Sequence, residues 1–425
     1  MSSSKVDNIH QAPLADPELK ISAKRRRKEK EGKVVDKERL QCEFIIPKKN
    51  RRCPLTCKKD VQYCAEHLKQ TQNDIRVTCT VDPRHTVWQK DLKSHVKKCG
   101  AKAVESKQVS WFKENHNCVL PSKVDDQDTQ IDYSKWIPKV ESIYSNFRDL
   151  ELIQLEHDGV KERVEELGNP KHAVQQSSLI SHLDNKNLLS NELTYVEFGC
   201  GRAELSRYIA KSVIHKTGSA ADFILIDRSP TRMKLDSKMI QDAEERKLKT
   251  KIHRVKIDIK DLYLDNIVET DFANEKGFVG VSKHLCGAAT DLTIQCILAN
   301  SKFNSRFTGM IVAMCCRHCC DYNMLSQDSI EYLKKFGVEK EGFKHFMKFA
   351  SWAVNGRRPG MKDEDGTDHV SGLSIKQRED LGLKARRIID ESRRYALEQK
   401  GYKVQLCHYV PKEISLENTC MIVNK

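Results

Sequence analysis

Residues 196–206 read Val196-Glu197-Phe198-Gly199-Cys200-Gly201-Arg202-Ala203-Glu204-Leu205-Ser206. Their order predicts a strand that breaks into a glycine turn and resumes as a helix. Leu193 to Phe198 carries Tyr195, Val196 and Phe198, the apolar content of a buried parallel strand. Gly199 and Gly201 permit a tight turn and let the backbone lie close to a ligand that a Cβ would hold away. Glu197 stands two positions before the first glycine, where a carboxylate can face a cationic group. Nucleotide-binding folds share the strand–glycine–helix geometry. The stretch alone therefore points to a nucleoside-like ligand, with a purely structural turn as the competing reading.

Downstream, strands are expected at 193–198, 222–227, 252–259, 277–282 and 309–314, with helices between them such as 203–216 and 230–246. This alternation implies an α/β domain built on a parallel sheet. A helix at 382–400 then leads to a strand pair near 403–410 and 419–424. Upstream, 136–167 reads as amphipathic helix, with Ile143, Phe147, Leu150 and Ile153 on one side.

Asp227 ends the second strand, placed to accept both ribose hydroxyls of an adenosine cofactor. A helix-N-terminal acid is the alternative for it. Asp258 is set to accept from an adenine amino group, with Asp261 as competitor. Glu197, Gly199, Gly201, Asp227 and Asp258 together outline a site for S-adenosylmethionine (SAM). The fourth strand ends in Val281-Ser282-Lys283-His284-Leu285-Cys286-Gly287. Ligands of open α/β sheets bind at the carboxyl ends of strands, so Lys283 and His284 fall where a methyl acceptor would enter. Either can take a proton from a hydroxyl; a phosphate contact and a packed histidine are the alternatives.

The front of the chain has another character. Of sixteen cysteines, six fall between residues 41 and 100. Cys79-x5-His85-x9-His95-x3-Cys99 offers four ligands suited to tetrahedral zinc, its last pair one helical turn apart. Before it stand Cys42, Cys53, Cys57, Cys64 and His67. Local spacing favours Cys53, Cys57, Cys64 and His67; Cys42, Cys53, Cys64 and His67 is the alternative. The region has too few apolar residues to fold without metal, so two structural zinc ions are expected. Cys315-Cys316-Arg317-His318-Cys319-Cys320 follows the fifth strand, but adjacent cysteines rarely all point at one ion, and burial is the simpler reading.

Among 425 residues the formal net charge is +14, which favours an anionic partner, nucleic acid ahead of membrane; neither a membrane nor a DNA partner is expected. No stretch reaches the ~18 apolar residues of a membrane helix. Without a secretory signal, many cysteines mean thiols and metal ligands in a reducing compartment, hence a nuclear or cytoplasmic location. The domains expected are a basic arm at 1–40, zinc fingers at 41–70 and 76–101, a linker at 102–135 and the catalytic domain at 136–425. A charged loop, 362–368, is expected to be mobile.

From about Gln41 to Lys425 the chain resembles the eukaryotic tRNA 2′-O-methyltransferases that modify the fourth nucleotide of the acceptor stem. The resemblance rests on a CCCH and a CHHC finger, the glycine turn and Lys283-His284-Leu285-Cys286-Gly287. Lys171-His172, Ser351-Trp352-Ala353-Val354, Lys384-Ala385-Arg386-Arg387-Ile388-Ile389-Asp390 and Ser415-Leu416-Glu417-Asn418 add to it. It implies a Rossmann-like SAM-dependent methyltransferase domain behind two zinc fingers, acting on a ribose 2′-hydroxyl of tRNA. It also favours Cys42, Cys53, Cys64 and His67 as first-finger ligands. Two departures stand out: Arg317 replaces the first histidine of the family's Cys-Cys-His-His-x-Cys, and Leu416 replaces a proline. Competing functions are an RNA-binding protein with an inert methyltransferase-like domain, and a SAM enzyme with another acceptor.

Overall fold

The structure is a computed structural model, and it describes residues 41–46, 51–53, 57, 61–64, 67, 76–81, 86–99, 109–118, 131–229, 231, 233–273, 275, 277–355 and 369–425. The basic arm, His85, most of the expected linker and the 362–368 loop lie outside these residues. The chain divides into two units, residues 1–102 and 103–425.

In the first unit, β1 (Ile45–Ile46) pairs antiparallel with β2 (Arg51–Arg52), and β3 (Arg76–Thr78) with β4 (Thr86–Trp88). Helix α1 (Leu92–Lys98) follows. The buried side chains of the first hairpin region are cysteines, Cys42, Cys53, Cys57 and Cys64, with Phe44 and Tyr63 packed partly against them. Thiols thus occupy the place of an apolar core, which is how a metal-dependent module is built.

The second unit opens with α2 (Tyr133–Tyr144), α3 (Asp158–Glu166) and α4 (Lys171–Asn185). The helix expected over 136–167 is therefore interrupted. Between α2 and α3 the chain extends alongside a strand end: Ile153 N–H donates to the His408 carbonyl and His408 N–H to that of Glu151, both at 2.8 Å. Tertiary pairing overrides the local helical period here.

There follow β5 (Leu193–Phe198), α5 (Glu204–Thr217), β6 (Phe223–Asp227), α6 (Asp236–Glu244), β7 (Ile252–Lys256), α7 (Leu264–Asp271) and β8 (Gly277–Cys286). Next come α8 (Ala288–Ala299), α9 (Ser301–Arg306), β9 (Phe307–Cys315), α10 (Gln327–Lys335), α11 (Lys340–Asn355), α12 (Ile375–Glu398), β10 (Lys403–His408) and β11 (Thr419–Asn424). One seven-stranded sheet runs in the order β10-β11-β9-β8-β5-β6-β7. Strands β5 to β9 are parallel; β11 runs against both β9 and β10.

Strand alternation sends side chains to two cores. Val196, Phe198, Ile224 and Ile226 join one with Ile294 and Ile297 of α8, while Tyr195, Phe223 and Leu225 join the other with Leu179 of α4 and Ile209 of α5. A third core gathers Trp136, Phe343, Phe346, Leu381 and Ile388 from α2, α11 and α12. Residues 109–118, inside the expected linker, dock on this unit: Asn117 Nδ2 donates to the Ile259 and Leu262 carbonyls at 2.6 and 2.7 Å.

Four buried charges tie α12 to the sheet. Arg317 pairs with Asp390 at 2.7 Å, Asp390 with Arg393 at 3.2 Å, and Arg393 with Asp291 at 2.8 Å. All four side chains are 1–2 % exposed. Such pairs survive burial only when every partner is hydrogen-bonded. Arg317 is thus a structural cation.

Candidate cofactor cavity and metal centres

Beyond the carboxyl ends of β5, β6 and β8 lies a cavity of about 470 Å³, within the range of small-molecule sites. It sits where the strand order reverses, between β5 and β8. Gly199, Asp227, Asp258 and His284 all line it, and Ile257, Ile259 and Leu292 supply apolar wall.

The turn is held by its own backbone. Gly199 and Gly201 sit at φ +67° and +48°, and Ala203 at +62°. A Cβ on Gly199 would come within 3.3 Å of the His284 carbonyl, whereas one on Gly201 would meet nothing within 4 Å. The first glycine therefore serves the packing of β5 on β8, and the second serves the conformation of the turn. Asp227 accepts from Gly201 N–H and Ser229 N–H, each at 2.8 Å, one bond to each carboxylate oxygen. Both oxygens keep lone pairs for further donors. Asp258 caps the short turn after β7, accepting from Lys260 N–H at 3.1 Å. Asp261 instead accepts from Asn115 N–H at 2.7 Å and Lys260 Nζ at 2.6 Å, committed to the docked 109–118 segment.

Glu197 is buried behind the turn. Its carboxylate accepts from Ser206 N–H at 3.2 Å and Ser206 Oγ at 2.5 Å, in the first turn of α5. Burial pushes its carboxyl up to about 7, against the pull of the Ser206 bonds. Arg254, on β7, went unnoticed in the sequence. Its Nη1 donates to the Gly201 carbonyl at 2.9 Å, and its other nitrogens grip Asp236 at 2.7 Å. An arginine inside a strand pattern, Ile252-His253-Arg254-Val255, was the available signal.

The two candidate bases sit where the β8–β9 register shifts, between Ser282 and Leu285, and both lie near His172, the His284 ring centroid 6.5 Å from that of His172. His284 lines the cavity. Lys283 is 8 % exposed, and its Nζ lies 2.7 Å from His172 Nδ1 at the start of α4. Burial lowers the Lys283 ammonium to about 8, with Glu204 opposing and Arg163 adding to the effect. His172 is held below the usual imidazole range by Lys283 first and burial second. Cys286 of the same motif meets β9, its Sγ 3.3 Å from Cys315 Sγ.

In the first finger, ligand atoms of Cys42, Cys53, Cys64 and His67 all lie within 4.8 Å of one another. Cys57 stands outside this set and its Sγ donates to the Gln62 carbonyl at 3.6 Å. The set that local spacing favoured is therefore not the one the fold assembles: the antiparallel β1–β2 pair brings Cys42 and Cys53 together. In the second finger Cys79, His95 and Cys99 gather, with His95 Nε2 3.1 Å from Cys79 Sγ and Cys79 Sγ 3.7 Å from Cys99 Sγ. Two donor sets rich in thiols and imidazole suit zinc.

Residues 174–424 match the family described as Methyltransferase TRM13. The chain belongs to that family. Residues 40–68 match the CCCH zinc finger in TRM13 protein, and residues 76–100 the U11-48K-like CHHC zinc finger. The protein named tRNA:m(4)X modification enzyme TRM13 of Debaryomyces hansenii is 39 % identical over 453 residues, covering 98 % of this chain and 98 % of the relative. Its namesake in Saccharomyces cerevisiae is 34 % identical, covering 91 % of this chain and 96 % of the relative. That of Schizosaccharomyces pombe is 35 % identical, covering 85 % and 97 %. Among the described residues no helix is long and apolar enough to cross a membrane.

Proposed function

We propose that this chain is a SAM-dependent tRNA methyltransferase acting on a ribose 2′-hydroxyl of the acceptor stem, on a Rossmann-like domain preceded by two zinc fingers. The observation that carries the cofactor assignment is the Asp227–Gly201 hydrogen bond at 2.8 Å on the wall of the 470 Å³ cavity. An acid fixed at the end of the second strand, beside the glycine turn, is what an adenosine ribose requires. Counted along the sheet from its first strand, the order 3-2-1-4-5-7-6 supports the same fold reading. The tRNA substrate comes from the relatives' names.

Asp227 would hold the ribose hydroxyls and Asp258 the adenine edge, while Ile257, Ile259 and Leu292 shield the ring from water. When bound, SAM supplies an electrophilic methyl group on sulfur. Transfer to a hydroxyl is an in-line displacement, so alignment by the protein dominates the rate. The acceptor oxygen must also lose its proton. Lys283 is the assigned base: as a neutral amine it donates one hydrogen to His172 Nδ1 and turns its lone pair to the hydroxyl. Cys42, Cys53, Cys64 and His67, and Cys79, His85, His95 and Cys99, would hold one zinc ion each. The fingers grip duplex RNA through phosphates and shape, because its deep groove hides sequence from side chains.

The test is transfer of radiolabelled methyl from SAM to tRNA, followed by nuclease digestion and nucleoside chromatography. Label in a 2′-O-methylnucleoside is expected. Label in a base, or in protein, would overturn the ribose assignment.

A further inference from the structure

Two motifs of the sequence, Lys384 to Asp390 and Ser415 to Asn418, play no part in the cofactor cavity. The fold brings them together around a second cavity of about 250 Å³. This cavity lies at the end of β10 (His408) and the start of β11 (Thr419). Because β11 runs against β9, that is the end of the sheet that also carries Asp227 and Lys283.

Its walls hold four cations, Lys384, Arg386, Arg387 and Lys412, against three acids, Asp149, Asp380 and Asp390; His408 also lines it, held below the usual imidazole range by burial first and by the neighbouring cations. The acids nearby are already committed. Asp390 is held by Arg317 and Arg393, Asp149 accepts from Tyr144 Oη at 2.9 Å, and Asp380 pairs with Lys384 at 2.7 Å. Glu417 is shared between Arg317 Nη1 at 2.8 Å, Cys316 N–H at 3.2 Å and Arg386 Nη2. Arg386 is only 4 % exposed, yet its Nη1 has no hydrogen-bond partner among the described residues; Arg387 is paired through Nη2 with Glu391, but its Nε likewise has none. Lys412, on the rim, has no acid partner among those residues. Burial and the neighbouring Arg317 both work against the charge of Arg386. A buried guanidinium nitrogen without an acceptor is costly, and planar guanidinium groups match phosphate oxygens two at a time.

We propose that this cavity is a phosphate-binding subsite that receives a phosphate group of the RNA substrate. The inference rests on the tRNA reading above. Arg386 and Arg387 line the floor, Lys412 stands at the rim, and the bound phosphate anchors the RNA on the same end of the sheet as the transfer site.

The experiment compares full-length, zinc-loaded wild type with Lys412→Gln and Arg387→Gln. Binding to an unmodified tRNA transcript is measured across a salt series, together with SAM binding and thermal unfolding. Lys412 is a surface residue, so its variant keeps the test decisive if Arg387→Gln unfolds. Loss of one phosphate contact should weaken tRNA binding about tenfold and flatten the log–log salt slope by about one, with SAM affinity unchanged. Transcripts with a 5′-phosphate and a 5′-hydroxyl separate the sources. An equal penalty on both marks an internal phosphodiester, and a penalty confined to the first marks the terminal phosphate. Wild-type affinity and slope in both variants would overturn the subsite. A wild-type protein that neither binds nor methylates tRNA would instead overturn the functional reading.

Discussion

Lys283 and His172, 111 residues apart in the chain, meet side chain to side chain, with Nζ 2.7 Å from Nδ1. The contact joins the carboxyl end of β8 to the first turn of α4. Burial brings the amine to about 8, so its neutral form, the one that accepts a proton, accumulates as pH rises through that value. The rate of methyl transfer should climb tenfold per pH unit below about 8 and then level. Lys283→Arg keeps the charge but cannot be neutral, and should lower kcat about a hundredfold or more with little change in SAM affinity. A pH–rate profile under single-turnover conditions checks both. An inflection well below 7 would move the role to His284.

Asp227→Ala removes the acceptor for two backbone N–H groups as well as the expected ribose contact. SAM affinity should fall at least about a hundredfold, while thermal unfolding shifts by only a few degrees. Isothermal calorimetry and a melting curve separate the two effects. Unchanged SAM affinity would detach Asp227 from the cofactor.

Glu197 makes a prediction about stability alone. Its carboxyl titrates near 4.5 in an unfolded chain and near 7 in the fold. The folded state binds the proton more tightly, so the contribution is full below 4.5 and lost as pH rises through 7. Over that window it amounts to at most about 3 kcal/mol. Glu197→Gln keeps an acceptor for Ser206 and should flatten this part of the stability curve. Urea unfolding between pH 4.5 and 8 measures it; parallel curves for the two proteins would refute the linkage.

The finger ligands are tested by metal content. Cys42→Ser should lose about one zinc per chain, and Cys57→Ser none, since only the former belongs to the gathered set. Equal losses would return Cys57 to the coordination sphere. Chelation should unfold the fingers, because cysteines stand where a core would be, and should weaken tRNA binding.

Gly287 ends the Lys283–Gly287 motif at φ +54°, and a Cβ there would lie 2.3 Å from the Cys319 carbonyl oxygen. Gly287→Ala should destabilise the second unit by about 3 kcal/mol or more. Wild-type stability would mean that the Cys319 loop yields freely.

The sheet was legible because buried parallel strands carry uninterrupted apolar runs, and the glycine turn because few residues adopt its backbone. What escaped was set by distant partners. Nothing local to Glu197 records the two Ser206 bonds that hold it behind the turn. The segment 145–157 has a helical period but pairs beside His408. Cys57 has the better spacing, yet the β1–β2 hairpin selects Cys42. Arg254 acts through a carbonyl of Gly201, 53 residues away, and no local pattern records such a bond.

The Arg317–Asp390–Arg393–Asp291 chain of charges has one more consequence. An apolar interface between α12 and the sheet would tolerate sliding by a helical turn, since one leucine replaces another. A dry ionic ladder does not, because a shift of one turn would leave four charges facing the wrong partners at a cost of about 3–5 kcal/mol for each broken pair. The ladder works as a key cut for a single lock position, and it sets the height at which Arg386 and Arg387 are presented on the same helix.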